Sequence, residues 1–445
     1  MYDRRTRMRI SACLADAFLA GAWSEPLLVE RAGEVLEPGQ PWFADIAREV
    51  LAAYHRPPSD RPRELAAFIA LQLEGRRPHP AATPPRVRRW LLAELAMGRR
   101  PWPVPELPSL AALASHLELE AGELDWLADT RGLERTVTEQ KLRNYRYTWL
   151  PREDGPPRVI ERPKARLKAI QRRVLHEVLD WIPAHDAAHG FTRGRSARSH
   201  AHLHSGRYVV LSLDLADFFA AVSAGRVYGI FRTAGYPEPV AHTLTGLTTN
   251  AVPVDEWAAV PRPTGPPSIA AHHRLGRRLA TPHLPQGAPT SPALANLATF
   301  RLDRRLAGLA GALGATYSRY ADDLTISGPR LLAERAAGVR ATIATIAREE
   351  GFAVNERKSR LSTRAGRQRV CGVVVNDGLN VARIEYDLLK ATLHNAARHG
   401  PAGQNRTGAS DFRAHLLGRI AWVESLHPAH GEKLRRQFAR IAWDA

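Results

Sequence analysis

Residues 318–327, SRYADDLTIS, constrain this chain more than any other stretch. Two adjacent aspartates, Asp322 and Asp323, sit between apolar runs rich in strand-forming residues. The pattern predicts a β-hairpin with both carboxylates at its tip, displayed at one end of a sheet. Like charges so placed repel and are costly unless something positive neutralises them. Magnesium does so with hard oxygen ligands. A third carboxylate, Asp214, stands at the C-terminal end of the Val/Leu-rich strand in VVLSLDLADFF. Alone it would be an ordinary strand-end residue. Two metal ions about 4 Å apart need shared carboxylates. Asp214, Asp322 and Asp323 supply that set if strand and hairpin are neighbours.

A further segment, LPQGAPTSPALANL (284–297), places prolines at 285, 289 and 292 around Gly287, just before a helix beginning near Ser291. Such a rigid turn can present backbone amides and the Gln286 amide to a flat base or sugar.

The 445 residues carry a formal charge of +18, mostly from arginine. That surplus favours a polyanionic partner. The two cysteines, Cys13 and Cys371, are too few for a disulfide framework or a cysteine-rich zinc site, which predicts a reducing, cytoplasmic setting. No apolar run approaches the roughly 20 residues of a membrane span. The basic-then-apolar N-terminus is interrupted by Asp16 and Glu25, so it predicts an amphipathic helix rather than a secretion signal.

Along the chain, residues 1 to 76 predict several helices, followed by a Pro-rich break at 79–86 and a short basic helix at 86–98. Residues 109–133 predict a helical hairpin with Ser109 as N-cap. From residue 140, aromatic and polar residues alternate around an Asp-Gly turn, predicting strand, turn, strand. A basic amphipathic helix is expected over 165–182, a Pro-rich insert of little periodicity over 250–283, one helix from 291 to 310, and a second strand-turn-strand over 368–381. The tail is helical, with Phe412, Leu416, Ile420 and Val423 on one face.

In order and spacing these segments resemble the reverse transcriptases, and within them the bacterial retron-type branch. The likeness runs over about 140–445. RVIERPKARLKAIQRRVLHEVL is similar to the family's fingers motif, HGFTRGRS to its next block, LDLADFF to the first palm motif, LPQGAPTSP to the nucleotide-side loop, YADD to the signature pair and QRVCGVVVN to the primer-grip hairpin. HAHLH (200–204) is similar to a retron Asn-Ala-x-x-His motif with His200 for Asn. VCG (370–372) is similar to a retron Val-Thr-Gly with Cys371 for Thr.

The resemblance implies an α+β right-hand polymerase fold. A helical extension would occupy 1–135, fingers 136–206, palm 207–381 and a helical thumb 382–445. It implies an RNA-directed DNA polymerase using two Mg²⁺ held by Asp214, Asp322, Asp323 and the Leu215 carbonyl. Arg158 would contact the triphosphate, and Phe219 would exclude a ribose 2′-hydroxyl. Gln286 and Gly287 would line the nucleotide pocket, and Lys358 would approach the incoming nucleotide. Arg193, Arg195, His204, Cys371 and Gly372 would meet nucleic acid. Implied partners are dNTPs, a structured non-coding RNA as template and primer, its RNA–DNA hybrid product and an effector protein, in an anti-phage role without membrane attachment. Other branches, defence or group II-like, and a catalytically silent nucleic-acid-binding module, remain open. The alternation of His200, His202 and His204 would put them on one face of a strand, a partial zinc pattern with no fourth ligand.

Overall fold

The computed structural model describes residues 3–75, 85–152, 156–263, 265–406 and 408–443. The chain divides into two compact units. One comprises Met1–Ile182 with Val222–Ser291, the other Pro183–Ala221 with Pro292–Ala445. Among the described residues no helix is long and apolar enough to cross a membrane.

The first unit opens with helices Arg4–Leu19, Glu25–Val35, Phe43–Ala53 and Pro62–Gly75. Their apolar faces close a core of its own around Leu14, Phe18, Leu28, Ile46, Leu65 and Ile69. Asp3 caps the first helix through Thr6 N. The helix expected over 86–98 is absent, and the described part of this segment is extended. Arg88 N donates to Val35 O (2.8 Å) and Glu94 N to Leu19 O (3.0 Å). Val87, Leu91 and Ala93 pack on the helical core. Their odd-numbered spacing suits an extended strap as well as a helix, and pairing with the bundle decides between them. The Pro-rich break falls mostly, and the Asp154-Gly155 turn wholly, outside the described residues.

The helical hairpin forms as Leu110–Leu117 and Ala121–Ala128. Ser109 caps it by accepting from Ala112 N at 3.1 Å. Strands β1 (Tyr145–Leu150) and β2 (Arg158–Pro163) pair antiparallel. The segment 250–283, expected to lack regular structure, holds helices Val254–Ala258 and Pro266–Leu279. They are anchored by aromatic and ionic contacts. Trp257 stacks on His272 with centroids 4.4 Å apart, and the buried Arg143 pairs with Asp255 and Glu256.

The second unit is built on an antiparallel sheet in the order β4-β5-β3-β6. Its strands are β3 (Val209–Leu215), β4 (Thr316–Tyr320), β5 (Asp323–Gly328) and β6 (Val354–Thr363). The helix expected from 291 to 310 is two helices, Ser291–Ala298 and Phe300–Ala312, broken at Thr299. A small hairpin follows, β7 (Arg369–Val370) and β8 (Val373–Val374). It shares a core with the C-terminal helices through Val370, Val373, Leu389, Leu393, Leu416 and Ile420.

Candidate active site

Strand β3 is buried nearly throughout because Val209, Val210, Leu211, Leu213 and Leu215 face protein on both sides of the sheet. Its end delivers Asp214. The register of β3 and β5 sets Asp214 directly opposite Asp323. Tyr320 pairs with Asp323 across β4 and β5, so the two-residue turn consists of Ala321 and Asp322. Only Asp322 therefore lies in the turn, and Asp323 opens strand β5. The turn is tied to β3 by Leu215 N, which donates to Asp322 O at 2.9 Å. The three aspartates expected to act together are thus brought to one end of one sheet.

Opposed like charges on neighbouring strands destabilise a sheet. The Asp323 carboxyl is pushed up to about 6, first by desolvation at the crowded strand end, then by Asp322 and Asp214, with Lys358 acting the other way. Asp214 is relieved by neighbours on β6. Lys358 Nζ donates to its Oδ2 at 2.9 Å and Asn355 Nδ2 to its Oδ1 at 3.2 Å. Lys358 therefore sits on a carboxylate rather than free for a nucleotide.

The set fits hard divalent cations by donor chemistry, three carboxylates whose mutual repulsion a cation would relieve. Among the described residues, no group of three or more His, Cys, Asp or Glu side chains is gathered as a ready-made metal cage.

Around the aspartates, Phe219 is half-buried, 5.5 Å from the Phe218 ring and 6.2 Å from that of Phe191. Phe191, Asp217, Ala321 and Cys371 all have positive φ in this unit. Such strain in residues bearing side chains concentrates at functional sites.

In the first unit, Gln286 O accepts from Glu161 N of β2 at 2.9 Å, and Ser291 Oγ closes the loop on Pro285 O at 2.7 Å. Gly287 has a φ of +136°, and a Cβ there would lie 2.7 Å from Glu161 O, so only glycine fits. Behind the loop, the buried Glu161 bonds His283 Nε2 at 3.0 Å and Asn250 Nδ2 at 2.7 Å. Arg158 is the half-buried first residue of β2.

The nucleic-acid contacts expected of the other residues are partly corrected. HAHLH is not a strand. His200 lies in the helix Ala197–His202, and His204 follows two residues after its end. Both are fully buried. His204 Nδ1 lies 2.7 Å from Ser327 Oγ and its Nε2 2.7 Å from Ser318 Oγ; Ser318 Oγ is also 2.8 Å from His200 Nδ1. Burial holds both imidazoles neutral, His204 down to about 3 and His200 to about 2. His204 is a core residue under the sheet and cannot touch nucleic acid, and the exposed His202 does not share the buried side of His200 and His204. Arg193 is exposed, whereas Arg195 is half-buried and donates to Asp186 O and Ala188 O. Cys371 and Gly372 form the left-handed two-residue turn between β7 and β8. The Cys371 thiol is pushed up to about 12 by burial and then by Asp323 and Asp322, which disfavours the thiolate.

Sequence reasoning missed Arg319, Asp303, Asn296 and Gly190, which surround the turn. The available signal was a lone arginine inside a strand, which demands a counter-charge.

The reverse transcriptase (RNA-dependent DNA polymerase) family model matches residues 150–386. The retron Mx162 reverse transcriptase of Myxococcus xanthus is 36% identical over 351 residues, covering 76% of this chain and 67% of that protein. The retron Ec86 reverse transcriptase of Escherichia coli is 31% identical over 285 residues, 64% of this chain and 76% of that one. The chain belongs to the retron-type reverse transcriptases. The retron Mx65 reverse transcriptase of Myxococcus xanthus is 44% identical over 299 residues, 67% of this chain. This retron-type chain spans 65% of the length of that relative. A foamy viral protease–reverse transcriptase solved with double-stranded DNA aligns with a TM-score of 0.37 and 14% identity, over 91% of this chain and 56% of that one.

Proposed function

We propose that this retron-type reverse transcriptase copies an RNA template into DNA from dNTPs, with Asp214, Asp322 and Asp323 as the catalytic carboxylates. The observation that carries the reading is the register that sets Asp214 against Asp323, with Asp322 in the adjoining turn. These residues, with the Leu215 carbonyl, would hold two Mg²⁺. When bound, the ions would activate the attacking hydroxyl and stabilise the leaving pyrophosphate.

The remaining roles belong to this chain's own groups. Lys358, bonded to Asp214 in this structure, would have to release it to approach the incoming nucleotide. Arg158 contacts the triphosphate, and Gln286 and Gly287 line the base and sugar. Phe219 bars a 2′-hydroxyl. Arg193, with Cys371 and Gly372 at the hairpin turn, would face nucleic acid, whereas Arg195 is engaged with Asp186 and Ala188. In this reading residues 136–206 act as fingers, 207–381 as palm, 382–445 as thumb and 1–135 as an extension. The template and primer would be one structured non-coding RNA, left as an RNA–DNA species, in a cytoplasmic defence system with an effector protein. The likeness to the retron enzymes supports this.

Primer extension by the full chain on an RNA template, with labelled dNTPs and Mg²⁺, tests the reading. Wild type should extend, and Asp323→Asn should not while still retaining RNA in a gel-shift assay. Extension undiminished in Asp323→Asn would remove the carboxylate assignment.

A further inference from the structure

We propose that Arg319, locked by Asp303 and Asn296, is a positioning residue that holds the Ala321-Asp322 turn, and with it the catalytic carboxylates, in working geometry. The proposal rests on the polymerase reading above.

Arg319 lies in β4, fully buried. A buried arginine is rare. Buried ion pairs are often no more stabilising than well-packed apolar residues of similar size, which directs attention to what the geometry of this one holds. The hydrogen bonds show it. Nε donates to Asp303 Oδ1 at 2.8 Å and Nη2 to Asp303 Oδ2 at 2.7 Å, a two-point grip on the helix Phe300–Ala312. Because the guanidinium is planar and rigid, that grip fixes where Nη1 points. Nη1 donates to Asn296 Oδ1 at 3.0 Å and to the Ala321 carbonyl at 3.0 Å.

Ala321 is the turn residue held at a φ of +56°, a conformation that a residue with a Cβ resists. The carbonyl that Arg319 holds belongs to the peptide joining Ala321 to Asp322. Rotating this peptide would redirect the Asp322 side chain and disturb Leu215 N, which donates to the Asp322 carbonyl.

The back of the turn is closed as well. Asn296 Nδ2 donates to Gly190 O at 2.9 Å. Gly190 lies so near the turn that a Cβ on it would be 2.4 Å from Ala321 N. Main-chain bonds from Arg319 N to Ala187 O (2.8 Å) and from His189 N to Arg319 O (2.7 Å) fix the same segment to β4. Ser318, the preceding residue, instead bonds His200 and His204 and makes no side-chain bond to the turn. The two neighbours offer a built-in comparison between holding the strand and holding the turn.

The test uses three variants of the full chain, Arg319→Lys, Gly190→Ala and Ser318→Ala. Gly190→Ala leaves the buried ion pair intact and covers the case in which Arg319→Lys does not fold. Each variant is measured for kcat and KM with dNTP, thermal midpoint, and amide exchange of peptides spanning Leu215 and the turn. Lysine keeps the charge but cannot grip Asp303 and the Ala321 carbonyl together. Arg319→Lys and Gly190→Ala should lower kcat on the order of 100-fold, the scale of a roughly 1 Å misplacement. KM should change far less, and exchange should quicken at the Leu215 amide. Ser318→Ala should lower the thermal midpoint and leave kcat near wild type. Wild-type kcat in a folded Gly190→Ala would overturn the proposal. So would losses of kcat that track the thermal midpoint equally in all three. An inactive wild type would instead refute the polymerase reading, which separates the two failures.

Discussion

Asp303→Asn is a severe test of the energetic reading. Asp303 is fully buried and paired with Arg319, which is also fully buried. Its Oδ1 accepts from Arg319 Nε at 2.8 Å and Tyr317 OH at 2.8 Å, and its Oδ2 from Arg319 Nη2 at 2.7 Å. Asparagine preserves the shape but puts an NH₂ donor where one of these donors must be satisfied. It also leaves the guanidinium without a counter-charge. Removing one partner of a buried pair costs about 3–5 kcal/mol. For a unit of this size each kcal/mol moves the midpoint by roughly 2–4 °C, so the expected fall is roughly 6–20 °C. Urea unfolding followed by fluorescence, with scanning calorimetry beside it, measures both quantities. A loss under about 1 kcal/mol, the level of an exposed pair, would refute the argument that this pair is sealed from water.

Three further outcomes follow from the same geometry. The Asp323 carboxyl, near 6 when folded against an ordinary 3.8, binds more protons folded than unfolded between those values. The metal-free wild type should therefore lose stability relative to Asp323→Asn as pH rises from about 4 through about 6; a pH-independent difference in thermal midpoint would contradict this. Gly287→Ala forces a Cβ to within 2.7 Å of the Glu161 carbonyl at a φ of +136°. It should cost about 1–3 kcal/mol in urea unfolding and raise the KM for dNTP. Phe219→Ala should bring kcat/KM for ribonucleotides toward that for deoxyribonucleotides, and unchanged sugar selectivity would remove the gate.

The clustering of the three aspartates proposed as catalytic was legible because they break a local pattern: charge at the end of a Val/Leu strand and inside a short hairpin. Only pairing, however, shows that Asp322 occupies the turn while Asp323 belongs to β5. The buried setting of His204, expected at nucleic acid, was not legible in HAHLH. Its partners, Ser318 and Ser327, lie more than a hundred residues away, and nothing local announces them. The 86–98 segment failed for a related reason: hydrogen bonds to Val35 and Leu19 override its helical composition. In 250–283, stacking of Trp257 on His272 and ion pairs to Arg143 support helices that proline content argued against. The Arg319–Asp303 clamp was invisible because a sequence shows that a buried charge needs a partner without saying which carboxylate answers.

The central claim is that these aspartates make DNA on an RNA carried by this protein. It is tested most directly by sequencing the nucleic acid that co-purifies with wild type and with the Asp322→Asn, Asp323→Asn double variant. The account predicts a discrete DNA joined to an RNA on wild type and the RNA alone on the variant. The same RNA–DNA species on both proteins would contradict it.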